Sequence, residues 1–68
     1  MKRYFKFKFG YIYYCFDLKI GIIERYIIHN CNIIKSDTLL SLKVLSENWF
    51  LNHYQEISEI EFNSIFEL

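Results

Sequence analysis

Proline and alanine are absent from this chain of 68 residues, and glycine occurs only twice, at Gly10 and Gly21. Without proline there is no polyproline segment and no fixed kink, and without Gly/Ser-rich stretches there is no flexible linker. Two cysteines, Cys15 and Cys31, are too few for the disulfide framework of a small secreted protein. Both are expected to be reduced and packed. Long apolar runs are missing as well. The longest uncharged stretch, residues 26–34, falls far short of the roughly 18 residues a membrane helix needs. Lys6 and Lys8 interrupt any apolar core of a signal peptide. The expectation is one soluble, cytoplasmic domain over residues 1–68, with no membrane partner.

Cations are missing from the C-terminal third. All eight Lys and Arg lie in residues 1–45 beside three acids, a net +5. Residues 46–68 hold Glu47, Glu56, Glu59, Glu61 and Glu67 and no cation, a net −5. A total of zero therefore conceals two charge poles, which either neutralise each other or face different partners.

Aromatic side chains are what the sequence has in abundance: seven Phe, six Tyr and one Trp. Each buries roughly 150–250 Å² when packed, which offsets the small core available to so short a chain. Ile, Lys, Asn, Phe and Tyr, all favoured here, have AT-rich codons. An AT-rich genome is implied, such as that of a phage, a mobile element or a low-GC bacterium.

Residues 3–9 alternate, with Phe5, Phe7 and Phe9 on one face and Tyr4, Lys6 and Lys8 on the other. Residues 11–20 continue the pattern, with Ile12, Tyr14 and Phe16 opposite Tyr11, Tyr13 and Cys15. A type II′ turn at Gly10-Tyr11 would join them and pair Phe9 with Ile12 and Phe5 with Phe16. A register shifted by two residues would preserve both faces.

Residues 22–35 break the alternation and fit a helical wheel, with Gly21 as N-cap. Ser36-Asp37-Thr38 reads as a loop. Leu40, Leu42 and Val44 then alternate as in a strand. Ser46-Glu47-Asn48 reads as a hairpin loop into a strand over 49–56. Ser58 and Glu61 form a capping box, with Ile57 and Phe62 as its hydrophobic staple, so a helix is expected from residue 59 towards the C-terminus.

The expected fold is α+β: a four-stranded, mainly antiparallel sheet of two hairpins, with two helices on one face, in ββαββα order. The alternative reads 22–34 as strand and gives a five-stranded half-barrel with a C-terminal helix.

Metal-binding chemistry is poorly served. Cys15, His29, Cys31 and His53 show neither a C-x₂₋₄-C nor an H-x₃₋₅-H pair. No spacing links a nucleophile to a base and its orienting group, and there is no G-x-G-x-x-G or P-loop. Glu59 and Glu61 suit the first turn of a helix better than acid–base catalysis. A drug-sized pocket of about 300 Å³ or more has little room beside so small a core. Neither enzymatic activity, a metal nor a cofactor is expected.

Binding surfaces remain. Tyr4, Lys6, Lys8, Tyr11 and Tyr13 would share the sheet face away from the core, a geometry suited to phosphate contacts and base stacking on a single-stranded nucleic acid. The plainer reading is an edge strand guarded by outward lysines. Trp49 and Leu51, with Leu39 and Leu45, would extend this face into an apolar, aromatic patch of the kind that marks interfaces. Glu56, Glu59, Glu61 and Glu67 form a weaker acidic candidate, for which a solvated helix face is the simpler explanation.

The leading expectation is a small, non-catalytic protein–protein interaction module. One example would be a phage or mobile-element inhibitor of a host defence protein, comparable to anti-CRISPR proteins by analogy of class. The alternatives are a single-stranded nucleic-acid binder and a structural homo-oligomer subunit.

Overall fold

Strand β1 (Lys2–Phe7) pairs antiparallel with β2 (Ile12–Asp17), and the alternation read from the sequence holds in both. The register differs. Phe5 lies opposite Tyr14 and Arg3 opposite Phe16, two residues from the II′-turn register. Gly10 does not adopt the positive φ that such a turn requires. Instead Phe9 leaves the ladder and packs edge-on against Phe7, ring centroids 5.8 Å apart. The Lys8 N–H donates to the His53 carbonyl at 2.9 Å, drawing the chain away from β2. A shift of two keeps every side chain on its face, so the hydrophobic pattern could not distinguish the registers.

This computed structural model describes residues 1–66, with five strands in one antiparallel sheet and two α-helices. The α+β class and the antiparallel sheet accord with expectation, and the five strands and the extended 22–34 segment accord with the alternative reading rather than with the ββαββα order. Residues 22–37 form β3 (Ile22–His29) and β4 (Asn32–Asp37) rather than a helix. Gly21, at φ +73, closes the β2–β3 turn instead of capping a helix. The Asp17 side chain accepts from the Lys19 and Ile20 N–H groups in that turn. Asn30 and Cys31, at φ 50 and 64, make a two-residue type I′ turn into β4. The wheel misled because β3 is contacted on both faces, so its Ile-rich sequence shows no clean alternation.

The strands lie in the order β4-β3-β2-β1-β5. After β4 the chain must therefore cross the sheet, about 19 Å at the usual strand spacing, to reach its place beside β1. Residues 38–53 make that crossing. They contain a 3₁₀ turn (Leu42–Ser46) and helix α1 (Asn48–His53), where strands were expected. Only β5 (Tyr54–Ile57) of the second expected hairpin is extended, and it pairs with β1. Helix α2 (Glu59–Phe66) begins as the capping signal indicated, with the Glu61 N–H donating to Ser58 Oγ at 3.0 Å.

The helices occupy opposite faces rather than one. Phe62 and Phe66 of α2 pack on Tyr4, Tyr13, Cys15 and Ile57. On the other face Val44 of the 3₁₀ turn and Phe50 of α1 pack on Phe5, Tyr14, Phe16 and Ile23. Each face of one sheet thus has its own aromatic core, and this double covering is how a chain without alanine packs so many rings. Cys15 is buried as expected, whereas Cys31 stands exposed in the I′ turn. No helix among the described residues is long and apolar enough to cross a membrane.

Candidate interaction surface

The double covering divides the expected basic-aromatic face. Tyr4 is buried beneath α2 with its ring 4.7 Å from that of Phe62. Tyr13 is buried edge-on against Phe66 at 5.1 Å. Neither ring is open to a stacking base. Lys6, half-buried between Tyr13 on β2 and Gln55 on β5, shares their face. Lys8 and Tyr11 are exposed in the β1–β2 loop, where the Tyr11 carbonyl accepts from the Ile28 N–H at 3.0 Å. β1 is paired on both sides, so outward lysines there do not guard an edge.

Trp49 and Leu51 lie on the exposed side of α1, 47% and 42% accessible, away from the tyrosines of the opposite face. The Trp49 indole donates to Glu47 Oε2 at 2.8 Å. The single patch expected from these residues is therefore two separated surfaces. Leu39 is wholly exposed, while Leu45 packs partly against the α1-side core.

Among the acids, Glu56 is engaged. Arg3 donates to both of its carboxylate oxygens, at 2.9 and 2.8 Å. That hydrogen bonding holds the Glu56 carboxyl below the usual range and pushes the Arg3 guanidinium up. Glu59 and Glu61 are exposed in the first turn of α2, where acids favour the helix dipole. Glu67 lies outside the described residues.

A different apolar group comes together on the α1 side. Ile34 on β4 sits opposite Ile27 on β3, and Ile27 opposite Ile12 on β2. Continuing the β1–β2 ladder by one position sets Phe7 beside Ile12, and Phe7 in turn lies opposite Tyr54. Phe7, Ile27 and Ile34 extend beyond the cluster packed under α1, and Phe9, 75% exposed, stands next to Phe7. The result is an apolar row across the sheet, open on one side. Sequence reading misses it because a helix over residues 22–34 scatters Ile27 and Ile34 away from β1.

Two surface clefts exceed the size expected for so small a chain. One of about 420 Å³ is lined by Tyr14, Arg25, Asp37, Thr38, Leu39 and Leu40, where the 38–41 loop leaves the sheet. Arg25 Nε there donates to Ser36 Oγ at 3.1 Å. Beside it, burial and then Tyr14 push the Tyr54 hydroxyl up to about 12, with Arg25 acting in the opposite sense. The second cleft, about 400 Å³, lies between Tyr11 and the β3–β4 turn, lined by Ile28, His29, Asn30 and Cys31. Burial raises the Cys15 thiol, which keeps it protonated and unreactive. Among the described residues no three His, Cys, Asp or Glu side chains gather at a metal-binding distance.

Compared with known family models, curated proteins and solved structures, the chain matches none.

Proposed function

We propose that this protein is a non-catalytic interaction module that binds another protein through the open row Phe7, Ile12, Ile27 and Ile34, with Phe9 as its protruding anchor. The observation carrying this reading is the position of α1, which covers Phe5, Tyr14 and Phe16 but leaves Ile34 and the neighbouring Phe9 exposed and Phe7, Ile12 and Ile27 half-buried. Apolar and aromatic groups on a rigid sheet bind at low entropic cost, because their backbone is already ordered. Aromatic anchors at the centre of a contact commonly dominate its energy. The finer proposal is an inhibitor of a host defence protein, carried by a phage or mobile element and acting in the cytoplasm of the infected cell. The AT-rich composition supports that origin.

Nucleic-acid binding is the weaker reading. Lys6, Lys8 and Tyr11 remain accessible, but Tyr4 and Tyr13, which would have completed a stacking platform, are core residues.

The test is a tagged pull-down from the native host, with and without nuclease, comparing the native chain with Phe9→Ser and Ile27→Thr variants of unchanged circular dichroism. A stoichiometric protein partner that resists nuclease and is lost in the variants is expected. A partner that survives both substitutions places its binding elsewhere and overturns the proposed surface. Recovery that vanishes with nuclease favours nucleic acid.

A further inference from the structure

The two edges of the sheet are unlike. β5 has four residues, is entered directly from α1 and left through the Ser58 cap of α2, with its Glu56 paired inward to Arg3 of β1. β4 has six residues, pairs with β3 residue for residue from Asn32 to Asp37, and carries no bulge, proline or glycine. Natural sheets blunt a long open edge with such devices or with an outward lysine. The only lysine on β4 is folded back. Lys35 Nζ lies 2.6 Å from Glu24 Oε2 and above the Tyr26 ring, both on β3. Ser36 is likewise held by Arg25 of β3. Along the open edge Asn32, Lys35 and Asp37 are exposed, and between them stand two apolar side chains, Ile33, 51% exposed, and Ile34, 47% exposed, one on each face.

Backbone geometry shows which groups are unpaired. In a two-residue hairpin the closing pair, here His29 and Asn32, exchanges its hydrogen bonds, and bonded pairs then alternate along the ladder. Asn32, Ile34 and Ser36 therefore bond inward to β3. The N–H and C=O groups of Ile33, Lys35 and Asp37 point outward.

We infer that this edge receives a second copy of the same chain, β4 against β4, antiparallel, with Ile34 opposite Ile34 on a two-fold axis. Charge and the position of the turn select that register. A two-fold axis normal to the sheet sets one residue against its own copy. Centring on Lys35 would oppose two cations. Centring on Ile33 brings Lys35 against Cys31, inside the tight turn. Centring on Ile34 sets Ile33 against Lys35 and Asn32 against Ser36, with no like charges opposed. The outward backbone groups of Ile33 and Lys35 then bond to each other across the axis.

The apolar row Phe7–Ile12–Ile27–Ile34 ends at this edge, so the symmetric pairing continues it unbroken into the second copy. A formal net charge of zero leaves no long-range repulsion between copies. The inference goes beyond the proposed function: Ile34 belongs to both surfaces, but the edge is joined by the backbone groups of Ile33 and Lys35, which lie off the apolar row.

Sedimentation and light scattering over a wide concentration range, with amide hydrogen exchange read residue by residue, test it. The expected result is a monomer–dimer equilibrium in which the Ile33 and Lys35 amides gain protection as concentration rises. Ile34→Lys, at an exposed position, should weaken association by at least about tenfold with unchanged circular dichroism. Ile33→Pro removes an outward N–H that serves no bond among the described residues, and should have the same effect. Since Ile33 lies off the apolar row, a monomeric Ile33→Pro variant that still captures a host protein would separate the two proposals. A monomer at every concentration overturns the inference. So does a dimer whose Ile33 and Lys35 amides stay unprotected, which would associate through a face. Protection of those amides only on adding a foreign protein would replace the second copy by that protein's strand.

Discussion

Tyr4, on the first strand, lies against Phe62, on the last helix, with ring centroids 4.7 Å apart and planes tilted by 34°. Phe62 also meets Tyr26 at 5.3 Å, so a single side chain ties α2 to β1 and β3. Phe62→Ala should cost about 3–5 kcal/mol, because it removes a fully buried ring and leaves a cavity. For a domain this small that is a large share of total stability. Urea denaturation followed by circular dichroism would show the variant largely unfolded or strongly shifted to lower midpoint. Midpoints equal to the native chain's would mean that α2 does not cover the sheet.

The two turns flanking β3 give opposite expectations. Cys31 holds φ 64 without being glycine, so Cys31→Gly should relieve strain of about 1 kcal/mol. In a domain of this size that raises Tm by roughly 4–8 °C. Gly21 holds φ +73, and a side chain there would project into open space with nothing within 4 Å of its Cβ. Gly21→Ala should therefore lose about 1 kcal/mol through backbone conformation alone. Thermal melts of both variants check the pair. Equal shifts in one direction would contradict the assigned backbone.

Acid should weaken the molecule partly through Glu56. Its folded pKa is depressed by the hydrogen bonds from Arg3. The unfolded chain therefore takes up the proton first as pH falls. The stabilisation is complete above the ordinary glutamate range and is lost as pH drops through the lower, folded value. Both side chains are considerably exposed, 36% and 47%, so solvent screening keeps the effect below about 1 kcal/mol. Glu56→Gln should flatten that portion of the acid profile, and added salt should shrink it in the native chain.

Alkaline pH should act through Tyr54, whose hydroxyl is raised to about 12 by burial and by Tyr14. Here the unfolded chain releases the proton first. The contribution is complete below the ordinary tyrosine value near 10 and is lost as pH rises from there towards the folded value. Burial also raises the Tyr4 and Tyr26 hydroxyls, so ultraviolet titration should reveal several late phenols, with one ionising latest, towards about 12. Its absence in Tyr54→Phe would assign it, and persistence in that variant would place it on another tyrosine.

Much of the architecture follows from local pattern, and some of it cannot. The alternation of Phe5 with Tyr4, or of Tyr14 with Tyr13, determined which side chains share a face, because the strand pleat has a period of two whatever lies above it. The Ser58–Glu61 signal determined where α2 begins, because a cap is completed within one turn of backbone. The candidate binding residues were legible only as residue types. Tyr4 and Tyr13 carry the same pattern whether a helix covers their face or solvent does.

What covers each face was decided by tertiary structure. The chain leaves β4 at one edge and must cross to β5 at the other, which turned residues 40–44 and 49–53 from expected strands into part of a largely helical crossing over Phe5 and Phe16. That left α2 to bury Tyr4 and Tyr13 on the opposite side. With apolar contacts on both faces, β3 lost the alternation that identifies a strand, and its isoleucines fitted a helical wheel equally well. Pairing between residues far apart in the chain depends on which surfaces are available to bury, and no window of local sequence contains that information.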